Sequence, residues 1–201
     1  MVCPSNGLES RNVLKGVANR IFWVISLLFA TLVAGAGDDY LSAKQKFDQI
    51  EAGRLRAGTR LELSAPELNA YITREAPVGV REPQIVLVAP GVASGTALVD
   101  FNKFERAQGR EPGWLMSKLF QGERPVSVTA RIRSGDGRAT VDLQKVEIAG
   151  VEIDGRTLDF LIHNVVIPQY PDVVVGQPFE MGYRINRLNV MPRAVEILIG
   201  R

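Results

Sequence analysis

The chain is poor in the residues that build compact chemistry. It holds one cysteine and one histidine in 201 residues. Cys3 stands ahead of an apolar run, so it is neither part of a disulfide framework nor a lipid-attachment cysteine behind a leader. The rest of the chain must be held by packing alone. With His163 as the only imidazole, a metal site built on Cys and His has no ligands to draw on, and no nucleophile–base pair is recognisable. A Gly-rich phosphate loop and a Gly-x-Ser-x-Gly elbow are missing too. These gaps assign no catalytic residue, no metal ligand and no cofactor. An excess of one charge is also lacking. The formal +2 comes from Arg11, Lys15 and Arg20 against Glu9, leaving 21 basic and 21 acidic residues over positions 37–201. Nucleic-acid binding needs a basic face that displaces counterions, and a neutral domain does not provide one.

What is present begins with a leader. The three basic residues flank Ile21–Val33 (IFWVISLLFATLV), an uncharged apolar core. Ala34-Gly35-Ala36 then offers an A-x-A cleavage site before Asp38-Asp39. Residues 1–36 therefore read as a signal peptide or an N-terminal membrane anchor. Ile21 to Gly37 is 17 residues, the short limit of a membrane span. In either case residues 37–201 are expected outside the cytoplasm, periplasmic or secreted, as a single domain.

That domain mixes two periods. In Leu61–Ala76 (LELSAPELNAYITREA), Leu61 and Leu63 alternate as in a strand, and Leu68, Tyr71 and Ile72 then follow as one helical stripe. Ser64, Pro66 and Glu67 have the spacing of a capping box with proline in the first turn. Asp39–Gly53 reads as a helix through Tyr40, Ala43, Phe47 and Ile50. Val80–Ala89 and Val92–Phe104 read as strands around a Pro90-Gly91 turn, and the run IVLVA suits a strand buried on both sides or at a dimer contact. Residues 105–113 read as a loop, and Trp114–Gln121 as a short apolar helix exposing Leu115, Leu119 and Phe120. The central hairpin alternates Val126, Val128, Ala130 and Ile132 with polar residues, turns at Ser134–Gly137, and returns through Ala139, Val141 and Leu143. The alternation slips at Gln144-Lys145, which predicts a β-bulge. Arg131, Arg133 and Lys145 read as surface charges. Thr157–Ile167 is an amphipathic helix with Leu158, Leu161, Ile162 and Val165 on one stripe and His163 off it. Phe179–Ile199 forms a closing hairpin.

Strands joined by hairpins, with apolar-faced helices to cover them, define a two-layer α+β domain with six or seven antiparallel strands. The corner Ser64-x-x-Glu67-Leu68-Asn69-Ala70-Tyr71-Ile72 resembles that of small bacterial envelope proteins with a half-size BPI-like, tubular lipid-binding (TULIP-like) fold. The Leu158–Val165 helix and the closing hairpin, with its Phe179, Met181, Tyr183 and Ile185 alternation, are similar to theirs. The resemblance implies a curled sheet wrapped on helices around an apolar channel for acyl chains. It carries over no catalytic residue. On that expectation the lining is Leu68, Tyr71, Ile72, Leu115, Leu119, Phe120, Leu158, Leu161, Ile162 and Val165. The ligand is a lipid or another acyl-chain molecule, met at a membrane surface. The alternative is an envelope scaffold or assembly module, with a closed core, no ligand and an envelope protein as partner.

Overall fold

The computed structural model describes residues 34–107, 109, 111, 121–163 and 175–201. The predicted leader core, the short helix with Leu115, Leu119 and Phe120, and Val165 lie outside the described residues. Among the described residues no helix is long and apolar enough to cross a membrane.

The first element is helix α1, Ala34–Glu51. It is already helical at Ala34, the first described residue, five positions before the predicted start at Asp39, and it includes the A-x-A tripeptide. Strand β1 (Arg60–Ser64) follows and passes directly into α2 (Ala65–Arg74). This corner forms as its sequence predicts. Ser64 Oγ accepts from the Glu67 amide at 3.3 Å, and Glu67 Oε2 accepts from the Ser64 amide at 2.8 Å. The reciprocal pair satisfies donors that a helix start leaves open.

Two antiparallel sheets follow. The larger has the order β2 (Val80–Ala89), β3 (Val92–Val99), β4 (Arg124–Gly135), β5 (Arg138–Ile148) and β6 (Val151–Glu152), with β7 (Phe179–Glu180) paired to the start of β5. The smaller has β9 (Ala194–Ile199) between β1 and β8 (Ile185–Val190). The fold is thus α+β, as expected. The strand count and their division differ from a single sheet of six or seven, and the strands do not close. The reason is register. The terminal hairpin takes β1 as its third strand, pairing Leu61 with Ile197 and Leu63 with Val195. It meets the large sheet along β8, where the Gly137 amide donates to the Asn186 carbonyl at 3.0 Å. There Ser134 Oγ donates to the Leu188 carbonyl at 2.6 Å and accepts from the Leu188 amide at 2.7 Å. The Gly91 amide donates to the Val190 carbonyl beside it, at 2.9 Å.

The bulge appears where the alternation slips. Thr129 faces Lys145 and Ala130 faces Leu143, so Gln144 is the extra residue. With it, Val146 and Ile148 return to the side of Val126 and Val128. Two other readings are corrected. The strand expected over Val92–Phe104 stops at Val99, and Phe101–Ala107 is helix α3. Asp100 turns the chain, because its Oδ1 accepts from the Lys103 amide at 3.0 Å, an N-cap bond. The run IVLVA is not buried on both sides. Leu87 is buried, but Val86 and Val88 are 57% and 54% exposed. β2 is an edge strand, and Val86 shares its face with Ser94 and Thr129. Part of the outer edge of β2 is occupied: the Asn69 carboxamide takes both backbone groups of Ile85, at 2.7 and 2.9 Å. A side-chain amide here stands in for a neighbouring strand.

Two apolar clusters result. One joins Ala43 and Ile50 of α1 to Leu63, Ile197 and Ile199 of the small sheet, with Phe47, Leu68 and Tyr71 packed against it. The Phe47 and Tyr71 rings lie 4.4 Å apart. The other joins Phe101 and Ile148 to Leu161 of helix α4 (Gly155–Leu161).

One turn carries visible strain. Between β7 and β8, the Ile185 amide bonds to the Gly182 carbonyl at 3.1 Å, and the two central residues, Tyr183 and Arg184, have φ of +53° and +58°. Asn-Gly suits such a turn, whereas residues with a large side chain are strained there. Tyr183 is 59% exposed, so its ring contributes little packing. Tyr183→Asn should therefore raise stability by about 0.5–1 kcal/mol, read as a higher denaturant midpoint at unchanged slope. A lower midpoint would show that the ring holds the turn.

Candidate functional site

The candidate site is an apolar cavity of about 410 Å³ between β5 and α4. β5 brings Asp142 and Leu143, α4 brings Leu158 and Asp159, and Ile162 and His163 follow directly. Val175 and Gly176 line it from the segment that precedes β7. Local structure explains the placement. Asp154 is the N-cap residue of α4, so Leu158 and Ile162, four apart, fall on one helical face. The Gly176 amide donates to the Val141 carbonyl at 2.9 Å and ties the segment's end to β5. Leu143 comes just before the bulged Gln144.

The polar groups sit around the apolar ones. His163 Nδ1 lies 2.8 Å from the Asp159 carbonyl oxygen. A carbonyl can only accept, so Nδ1 carries the proton and, in the neutral ring, Nε2 is left as an acceptor. Arg133 Nη2 donates to Asp142 Oδ2 at 2.7 Å on the exposed sheet face, so this carboxylate has its counter-charge. The arrangement is apolar contact with hydrogen-bonding groups beside it. Among the described residues no group of three or more His, Cys, Asp and Glu side chains could hold a metal ion.

The predicted lining separates into three sets. Leu158 and Ile162 line the cavity. Leu161 lies next to them in sequence but belongs to the buried cluster with Phe101 and Ile148. Leu68 and Tyr71 pack into the other cluster, against α1 and the small sheet. Ile72 is on α2 as well and half-buried. Leu115, Leu119, Phe120 and Val165 lie outside the described residues. Six lining residues stand outside the predicted set: Asp142, Leu143, Asp159, His163, Val175 and Gly176. Leu143 was legible as an inward position of the hairpin. Helical spacing puts His163 off the α4 stripe, yet it lines the same cavity. The spacing places it next to Ile162 but gives no sign of a wall opposite.

Comparison with family models, curated proteins and solved structures finds no match to this chain.

Proposed function

We propose that this chain is an exported, non-enzymatic lipid-binding or lipid-transfer protein that holds an acyl chain in the cavity between β5 and α4. The observation that carries this reading is the cavity itself: about 410 Å³ with Leu143, Leu158, Ile162 and Val175 on its walls. Ligand pockets run roughly 300–1,000 Å³, so its size suits a small apolar guest. Transfer from a membrane would be driven by burial worth about 0.8 kcal/mol per CH₂. Polar groups at Asp159 and His163 would face the head of the guest. An envelope scaffold without ligand is the second reading, supported by the small-sheet cluster, where Leu68 and Tyr71 are already taken up by packing.

Leu158→Asp separates the two. Leu158 is half-buried and not one of the buried core residues, so the carboxylate can stay hydrated when the cavity is empty. Beside an acyl chain it is unpaired and costly. Uptake of a fluorescent fatty acid should fall at least tenfold, the loss corresponding to about 1.4 kcal/mol or more, while thermal unfolding stays cooperative. Unchanged uptake in the folded variant removes this cavity from the function and leaves the scaffold reading.

A further inference from the structure

A second hollow, of about 730 Å³, opens where the β4–β5 turn, the β7–β8 turn and the last residues of the chain meet. Its chemistry is the reverse of the first. Arg138, Arg184 and Arg201 reach it from three separate segments, together with Asn186. The side-chain carboxylates that line it are Asp136 and Glu180, against three guanidinium groups, and the α-carboxylate of Arg201 stands beside them. The internal pairing is loose. Arg138 Nη2 is 3.9 Å from Glu180 Oε1, with both side chains mostly exposed. An exposed pair at that distance contributes little and yields readily to a better partner.

Arg184 is the best-positioned of the three. Its carbonyl accepts from the Gly200 amide at 2.7 Å, and its Nη2 donates to the Gly200 carbonyl at 3.2 Å. One residue is thus clamped to the end of β9 by backbone and side chain, with the rest of its guanidinium fork uncommitted. The approach at Gly200 is close. A Cβ on Gly200 would lie 3.2 Å from Asn186 Cβ and 3.4 Å from the Arg184 oxygen. The clamp fixes Arg184 at the second central position of the turn described above, in the left-handed conformation that such a turn uses.

From this geometry we infer that the cleft binds a phosphate-bearing group, a monoester or a diester, chiefly through Arg138 and Arg184 with Asn186 beside them. Guanidinium forks from a strand and from a turn suit a tetrahedral group that offers several oxygens, more than the two of a planar carboxylate. The volume leaves room for the alcohol portion of the ester. The phosphate can be that of a phospholipid head or of a soluble ester. This site is separate from the acyl-chain cavity, and its test does not depend on that reading.

The test uses the full chain and the double variant Arg138→Gln/Arg184→Gln. Arg81→Gln is the control, since Arg81 pairs with Glu123 on the far side of the large sheet's register. Inorganic phosphate and glycerol 3-phosphate are titrated by calorimetry. Sedimentation compares vesicles of phosphatidylcholine alone with vesicles of phosphatidylcholine and phosphatidylglycerol in equal parts. Wild type and Arg81→Gln should bind saturably in one arm at least, and the double variant should bind at least tenfold more weakly. A preference for the anionic vesicles that the double variant loses assigns a phospholipid head. Binding of the soluble ester without that preference assigns a soluble ligand. Absence of saturable binding in both arms, or binding that survives in the double variant, overturns the site. Thermal unfolding checks that each variant is folded. If Arg184→Gln is not, Arg184→Lys keeps the charge without the fork and should lose affinity to an intermediate degree.

Discussion

Replacing Glu67 with glutamine should remove about 2–3 kcal/mol of stability at neutral pH, less than half of that near pH 3 and little near pH 2. Glu67 is only 7% exposed and carries four bonds. Its Oε2 accepts from the Ser64 amide, while its Oε1 accepts from Ser42 Oγ and from Lys46 Nζ, both at 2.5 Å. Its own amide donates to Ser64 Oγ. Burial by itself pushes the carboxyl up, but the bonds from Lys46, Ser42 and Ser64 outweigh it and hold the group down at about 2, against an ordinary 4.5. The folded state therefore favours the ionised form. Its contribution is complete above the unfolded value of 4.5 and is lost as pH falls from there toward 2. A shift of that size corresponds to at most about 3 kcal/mol, and the partial exposure of Lys46 reduces it. Glutamine can still accept from the Ser64 amide, but it offers one oxygen where Ser42 and Lys46 also need one. Denaturant midpoints at pH 7 and pH 3 check this. The wild-type midpoint should fall over that interval toward that of the variant. A gap between the two that is as wide at pH 3 as at pH 7 means that Glu67 is not the linked group.

The same residue shows how far a sequence can be read. Ser64 and Glu67 are three positions apart, and a capping box is local, so both halves of it were legible. Ser42 and Lys46 lie 25 and 21 positions away, on a helix whose contact with the corner depends on β1 joining β9. Periodicity gives each element its inward face and does not say which other face it meets. For the same reason Leu68 and Tyr71 were correctly apolar-facing but went to the small-sheet cluster, while Leu158 and Ile162 went to the cavity. The Gln144 bulge was legible because a slipped alternation has a local cause. The edge position of Val86 and Val88 was not, since an apolar run has the same letters in a central strand and at an edge. Asp100 was missed for another reason. Val99, Phe101 and an intervening polar residue continue the strand's alternation, and the capping side chain overrides it. The Arg138–Arg184–Arg201 cleft had no signal, because its members are 46 and 17 positions apart and single charges are usual on a surface.

Gly79→Ala is expected to be the most damaging small change in the chain, at about 3–4 kcal/mol. Two separate costs meet there. The Val80 amide bonds to the Pro77 carbonyl at 3.0 Å, and Gly79 takes φ of +92° at the third position of that turn. A side chain in this conformation is strained by about 1 kcal/mol or more whatever surrounds it. Space is the second cost. A Cβ would stand 2.7 Å from the Phe104 nitrogen, 2.9 Å from the Asp100 oxygen and 3.0 Å from Phe104 Cα. All three are backbone atoms in or beside the first turn of α3, so no side chain can swing aside. The Asp100 amide also donates to the Gly79 carbonyl at 2.7 Å, which fixes turn and helix against each other. Relief would require α3 to move, and Phe101 of that helix is in the buried cluster with Ile148 and Leu161. Gly58 separates the two costs. It has φ of +85°, and a Cβ there would meet nothing within 4 Å. Gly58→Ala should therefore show the conformational cost alone, about 1 kcal/mol. The difference between the two variants, about 2–3 kcal/mol by chemical denaturation, measures how tightly the Pro77–Val80 turn is pressed on α3. Equal losses at both positions would mean that the helix gives way freely and that Asp100, and not the contact with Gly79, sets where β3 ends.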